Sequence, residues 1–180
     1  MPHALRLICH GDTPCAAVRT MGARIERTAA ALALTYTLEG ELAALHIPAN
    51  GERRIGEMLW QHTCFELFVR STDAAQYHEL NFSPSREWAA YAFARYRESV
   101  PLDLEGMDPA IAVRSSPAKL ELDAVIPLDR LSQHYSSAAL SIGLSGVVEA
   151  LDGSLSYWAL AHPPGKPDFH HRDSFSLRLT

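Results

Sequence analysis

Glu66 lies in Thr63-Cys64-Phe65-Glu66-Leu67-Phe68-Val69, and Glu79 in Tyr77-His78-Glu79-Leu80-Asn81-Phe82. Two carboxyls on neighbouring segments can act as acid and base on a glycosidic bond, pair with one Arg each, or accept from ligand hydroxyls. Asn81 adds an amide two residues beyond Glu79. Trp60 and Trp158 offer flat indoles that pack equally well in a core or against the C–H face of a sugar. The densest polar run is His162-Pro163-Pro164-Gly165-Lys166-Pro167-Asp168-Phe169-His170-His171-Arg172-Asp173. It reads as a Pro-stiffened loop whose His162, Lys166, Asp168, His170 and Arg172 could bind ligand hydroxyls or pair with Glu66 or Glu79.

A transition metal is not expected. Adjacent His170 and His171 would point opposite ways on an extended chain, and Cys9, Cys15 and Cys64 show no C-x-x-C spacing. Cys64 has no convincing base beside it, and no nucleophile elbow, Walker loop or dinucleotide fingerprint occurs.

The elements that must carry these residues read as short strands. Leu32, Leu34, Tyr36 and Leu38 alternate with small or polar residues, as do Leu120, Leu122, Ala124 and Ile126. Leu42, Leu45 and Ile47 suggest a further strand, Ile111 and Val113 another, and Phe175, Leu177 and Leu179 a last one. Leu128 to Tyr135 reads as a short helix opened by Asp129, and residues 97–109 as a loop. In 63–69 the row Thr63, Phe65, Leu67, Val69 is apolar, opposite Cys64, Glu66 and Phe68. In 77–83 Leu80 and Phe82 face the core, opposite Tyr77, Glu79 and Asn81. In 88–96 Tyr91 and Phe93 are expected inside and Ala90 and Ala92 outside. In 140–148 Leu140, Ile142, Leu144 and Val148 oppose Ser141, Gly143 and Ser145. In 154–160 Leu155 and Tyr157 are expected inside, opposite Ser156 and Trp158. The outward rows are then either very small or polar and aromatic. Such a face leaves space for a ligand or admits covering loops.

The chain has 180 residues, 16 Lys and Arg against 21 Asp and Glu, and a net charge of −5. That balance argues against nucleic acid and polybasic membrane contact. The N-terminal sequence shows no leader, so a cytoplasmic protein with reduced cysteines is expected. One all-β domain over 1–180 is expected, a two-sheet antiparallel β-sandwich with at most short helices.

The stretches LWQHTCFELFV (59–69), YHELNFSPSREWAAYAFARYR (77–97) and YWALAHPPGKPDFHHRDSFSLRL (157–179) resemble the bacterial DOMON-like proteins, relatives of the family 9 carbohydrate-binding modules. The resemblance implies a jelly-roll-like β-sandwich with a ligand site on one face. It implies Trp60 and Trp158 as a sugar clamp, with Glu66 and Asn81 at the hydroxyls. Haem-binding relatives use Met and His ligands, for which Met58 and His162 are the nearest candidates. The leading expectation is therefore a non-catalytic module for a small polar ligand, above all a saccharide, without a cofactor. The alternatives are a haem-binding electron-transfer domain and a carboxylate-dependent glycoside-active enzyme.

Overall fold

The computed structural model describes residues 3–28 and 30–180. Its strands are β1 (His3–Cys9), β2 (Val18–Arg27), β3 (Ala31–Gly40), β4 (Arg54–Ile55), β5 (Cys64–Ser71), β6 (Tyr77–Phe82), β7 (Glu87–Arg95), β8 (Glu98–Val100), β9 (Ala110–Ser116), β10 (Lys119–Pro127), β11 (Leu140–Glu149), β12 (Leu155–Ala159) and β13 (Leu177–Leu179). The one α-helix among the described residues is a single turn, α1 (Leu128–Leu131). No helix there is long and apolar enough to cross a membrane.

The strands form one hydrogen-bonded path, β4-β7-β6-β5-β11-β12-β1-β2-β3-β10-β9, with β13 on β11 and β8 on β7. Two separate antiparallel sheets were expected; the path is instead continuous and curled. β1 is the corner: residues 3–7 pair with β2, and Ile8 and Cys9 pair with Ala159 and Trp158 of β12. The sheet is also mixed, because β4 runs parallel to β7. That contact is two residues long, too short to leave a sequence pattern.

The two arms of the path share one large core. β3 and β10 alternate as expected, burying Leu32, Leu34, Tyr36, Leu38, Leu120, Leu122, Ala124 and Ile126 against Phe65, Leu67, Val69, Leu80 and Phe82 of the other arm. Tyr36 bridges the arms. Its ring stacks on Phe65 at 4.9 Å, and its hydroxyl donates to the Glu66 carbonyl at 2.6 Å.

Three local expectations need correction. Leu42–Ala44 is a 3-10 turn rather than a strand, followed by an isolated bridge from Leu45 to Ala150. The helix expected to reach Tyr135 stops at Leu131, because the Ser132 hydroxyl accepts from the His134 N–H and opens a separate 3-10 turn, Gln133–Ser136. Pro127, not Asp129, precedes the first helical residue. The 97–109 segment is irregular except for β8.

Tyr36→Phe keeps the ring and its stack but removes the hydroxyl that crosses the core. We expect denaturant unfolding to show a loss on the order of 1–2 kcal/mol. An unchanged midpoint would mean that the bond does not tie the arms together.

Candidate functional site

The register of β11, β5, β6 and β7 turns one row of side chains away from the large core. Ser145 pairs with Glu66, Glu66 with Asn81, and Asn81 with Ala89. In the next row Gly143 pairs with Phe68, Phe68 with Glu79, and Glu79 with Tyr91. Tyr77 and Phe93 extend the surface, stacked at 4.7 Å. On the other side Cys64 pairs with Val147, and Val147 with Tyr157 of β12. Residues 160–176 fold over part of this surface and pack Phe169 and Phe175 into a second, smaller apolar cluster with Cys64, Phe68, Tyr77 and Val147. The 3-10 turn Leu59–Gln61, entered through the left-handed Met58 (φ 49°), brings Trp60 to the rim edge-on to Tyr91.

Between these parts lies an open cleft of about 400 Å³, within the usual range for a small-molecule site. Its walls are aromatic: Trp60, Phe68, Tyr91, Phe93, Tyr157 and Phe169. Its polar groups are Glu66, Glu79, Arg97, Ser99 and His170.

The polar groups form two sets, one bonded to Glu66 and one running from Glu79 through His170 and Tyr77 to Arg97. Glu66 accepts from Ser145 Oγ at 3.3 Å and from Cys64 Sγ at 3.6 Å. Burial pushes its carboxyl up to about 8, and the neighbouring Glu79 adds to the shift. Glu79 accepts from Asn81 Nδ2 at 3.0 Å, and burial pushes its carboxyl up to about 7 against the opposing pull of Asn81 and Arg97. At neutral pH the pair therefore retains a proton. The Cys64 thiol is pushed well up by burial and by Glu66, which favours the thiol over the thiolate.

His170 is held neutral, since burial lowers its imidazole to about 4. Its tautomer follows from its partners. The Arg97 N–H donates to the Tyr77 oxygen at 3.0 Å, which directs the Tyr77 proton to His170 Nδ1 at 2.8 Å. Nε2–H then faces Glu79 Oε2 at 3.5 Å. Arg97 is oriented in turn by Asp168 at 2.9 Å and by the Tyr96 hydroxyl at 3.2 Å.

Of the residues singled out from the sequence, the fold brings Trp60, Glu66, Glu79 and His170 into the cleft lining. Asn81 is fully buried and reaches the cleft through Glu79. Asp168 acts one step back, on Arg97, Tyr96 and the His170 N–H. Lys166 is exposed. Arg172 borders a neighbouring hollow and pairs with Asp173 at 3.5 Å rather than with Glu66 or Glu79. His162 and Met58 do not line the cleft: His162 Nε2 lies 2.8 Å from the Ile8 carbonyl, and Met58 Sδ accepts from Gln61.

Trp158 is a correction. It is 7% exposed within the large core, and its indole N–H donates to Ser156 Oγ at 3.0 Å. Ser156 is a core partner for that indole, so the polar look of the pair misled the parity of β12. The row that faces the cleft is Tyr157 and Ala159.

β7 is reversed in the same way. Its register places Trp88 and Ala90 opposite Phe82 and Leu80, facing the core, while Tyr91 and Phe93 face outward. The small residues are therefore not a floor for a ligand. Ala90 sits in the core beside bulky neighbours, and the space at Gly143 is taken by the C-terminal segment, where a Cβ would meet the Ser174 carbonyl at 3.0 Å. The reversed parity of β7 and β12 hid Tyr91, Phe93 and Tyr157, while Arg97 and Phe169 lie in irregular segments with no periodic signal.

From the sequence, only His170, His171 and the cysteines were weighed as metal ligands; the fold brings together a different group. His46, His62 and Glu149 lie far apart in sequence, yet their ligand atoms fall within 4.8 Å of one another.

No family model matches the chain, and no curated protein matches it by sequence. Solved structures do match its fold. One, described as a "putative carbohydrate-binding protein" from Bacteroides uniformis, has a TM-score of 0.70 at 17% identity, covering 96% of this chain and 83% of that one. A family 9 carbohydrate-binding module from Caldicellulosiruptor kristjanssonii in complex with cellotriose has a TM-score of 0.56 at 9% identity, covering 81% of this chain and 67% of the module. The same kind of module in complex with glucose has a TM-score of 0.56 at 9% identity, covering 81% and 69%. These likenesses establish a shared, mostly β fold.

Proposed function

We propose that the chain is a DOMON-like β-sandwich module, related to the family 9 carbohydrate-binding modules, whose cleft holds a small saccharide without cleaving it. The observation that carries this reading is a cleft with aromatic walls over two buried carboxyls, Glu66 and Glu79. A pyranose presents C–H faces and hydroxyls that both donate and accept. A protonated Glu66 can also do both, and neutral His170 and Arg97 add donors. The neighbours in complex with cellotriose and glucose make those two sugars the first probes.

Raised carboxyls are also what a general acid needs, which keeps a glycoside-active enzyme as the second reading. Product analysis after long incubation with cello-oligosaccharides separates the two, since a binding module leaves chain length unchanged. For haem, Met58 and His162 stand off the cleft; a Soret band in the purified protein would reverse the proposal.

Trp60 is 41% exposed at the rim. Covering roughly 60 Å² of one indole face at about 25 cal/mol per Å² is worth about 1.5 kcal/mol, or tenfold in affinity. Trp60→Ala should therefore weaken cellotriose binding by about tenfold in calorimetry and leave the melting temperature near wild type. Trp158→Ala should do the opposite first, costing about 3–5 kcal/mol of stability by emptying a core site. Equal cellotriose affinity in wild type and Trp60→Ala would sink the assignment of the cleft.

The carboxyl pair predicts a pH signature. An unfolded glutamate titrates near 4.5, whereas native Glu66 titrates near 8. Between these values the native state keeps a proton that the unfolded state has lost, so this group makes stability fall as pH rises. Glu66→Gln removes that slope. Relative to wild type, the variant should gain on the order of 2–4 kcal/mol between pH 5 and pH 9 in denaturant titrations. A constant difference across that window would show that Glu66 is ionised throughout.

A further inference from the structure

We propose that His46, His62 and Glu149 form a binding site for a divalent transition metal, zinc above all, at one end of the cleft-bearing face. Both imidazoles aim Nδ1 at a single carboxylate oxygen, Glu149 Oε2, at 2.6 Å and 2.7 Å. Two nitrogens and one oxygen are the donor set of open zinc sites, and imidazole selects zinc, copper or nickel over calcium and magnesium. Three protein ligands leave a further position for water or an incoming group.

The backbone holds the three residues ready without help from the rings. The β5–β11 register ends with Cys64 opposite Val147, and just beyond it the Glu149 N–H donates to Thr63 Oγ1, which keeps His62 beside Glu149. The Leu45–Ala150 bridge and the bond from the His46 N–H to the Glu149 carbonyl at 2.8 Å seat the third ligand. Thr63 locks the group. Its fully buried hydroxyl donates to the His46 carbonyl at 2.7 Å and accepts from the Glu149 N–H at 3.0 Å, and it adjoins His62.

The remaining adjustment is small. A tetrahedral ion with ligand bonds of about 2.1 Å sets its ligand atoms roughly 3.4 Å apart. The two N···O distances must open by under about 1 Å. Both Nδ1 atoms donate to the carboxylate in this arrangement, so each ring must also pass its proton to Nε2. The side chains of His46 and His62 are 52% and 55% exposed, which lets them rotate and exchange that proton with solvent. Glu149 is only 16% exposed and stays fixed.

The test uses the full chain stripped with EDTA and titrated with zinc chloride in a calorimeter. One zinc per chain is expected, with a rise in melting temperature. Cobalt in its place should give visible ligand-field bands. His62→Ala and the shape-preserving Glu149→Gln should each weaken zinc binding at least tenfold, with unchanged far-UV spectra. His134→Ala, at an exposed histidine elsewhere, should bind as wild type. No zinc uptake by the wild-type chain, or equal uptake after His46 and His62 are both replaced by Ala, would overturn the proposal and leave the group as a hydrogen-bonded brace.

Discussion

The pairing of β5 with β11 is the constraint on which the rest of the molecule depends. Side chains alternate on a strand, so a one-residue slip would turn Glu66 and Cys64 inward and Phe65 and Leu67 outward. The register is pinned from both faces. On the inner face Leu67 and Val69 meet Leu144 and Ile142 in the core. There the strands also approach closely: a Cβ at Gly146 would meet Met21 Sδ at 3.2 Å and the Cys64 carbonyl at 3.3 Å. On the outer face the same register lines up Ser145 with Glu66 and Val147 with Cys64. The Tyr36 hydroxyl, arriving from the other arm, fixes β5 at Glu66 itself. Site and core are thus two sides of one hydrogen-bonded ladder.

Placing two carboxyls on such a ladder is costly, because neither has a lysine or arginine in direct contact among the described ion pairs. Burying two unpaired charges would cost several kcal/mol. The raised titration of both groups is the way out, since keeping a proton on the pair avoids most of that penalty. Behind the cleft lining, Asn81 Oδ1 is buried without a partner among the described residues. A protein that needed only a stable outer sheet face would be better served by apolar residues at these positions. Retaining them is consistent with a surface shaped for something that brings its own hydroxyls.

Much of the fold was legible in the sequence because alternation survives where one face is plainly apolar. β3, β5, β6 and β10 carry that signal, and their inward rows are those expected. β7 and β12 do not, because their cleft-facing rows carry large aromatics, Tyr91, Phe93 and Tyr157. These look more core-like than the small residues Ala90 and Ser156 on the opposite, core-facing rows. Only the cross-strand register decides which row faces in. Single-residue pairings such as Leu45 to Ala150 leave no periodic trace either, which is why the meeting of His46 with Glu149 could not be read from spacing. Trp158 shows the converse error, where a polar neighbour marks a satisfied core indole rather than a wet surface.

The His-rich C-terminal run illustrates how one segment divides its labour. Phe175 anchors it edge-to-face on Phe68, and Phe169 meets the same ring at a tilt. Asp168 ties it to the end of β7 through Tyr96 and Arg97. With the backbone held at both points, His170 has little freedom, and its ring meets Phe68 and Phe93 edge-on at 5.1 Å and 5.0 Å. A neutral imidazole in an aromatic frame can donate to Glu79 without adding charge to the cleft. A lysine in its place would pair with the carboxyl and favour its ionised form. The chemistry of this wall therefore rests on the packing that keeps His170 neutral as much as on the identity of the side chain.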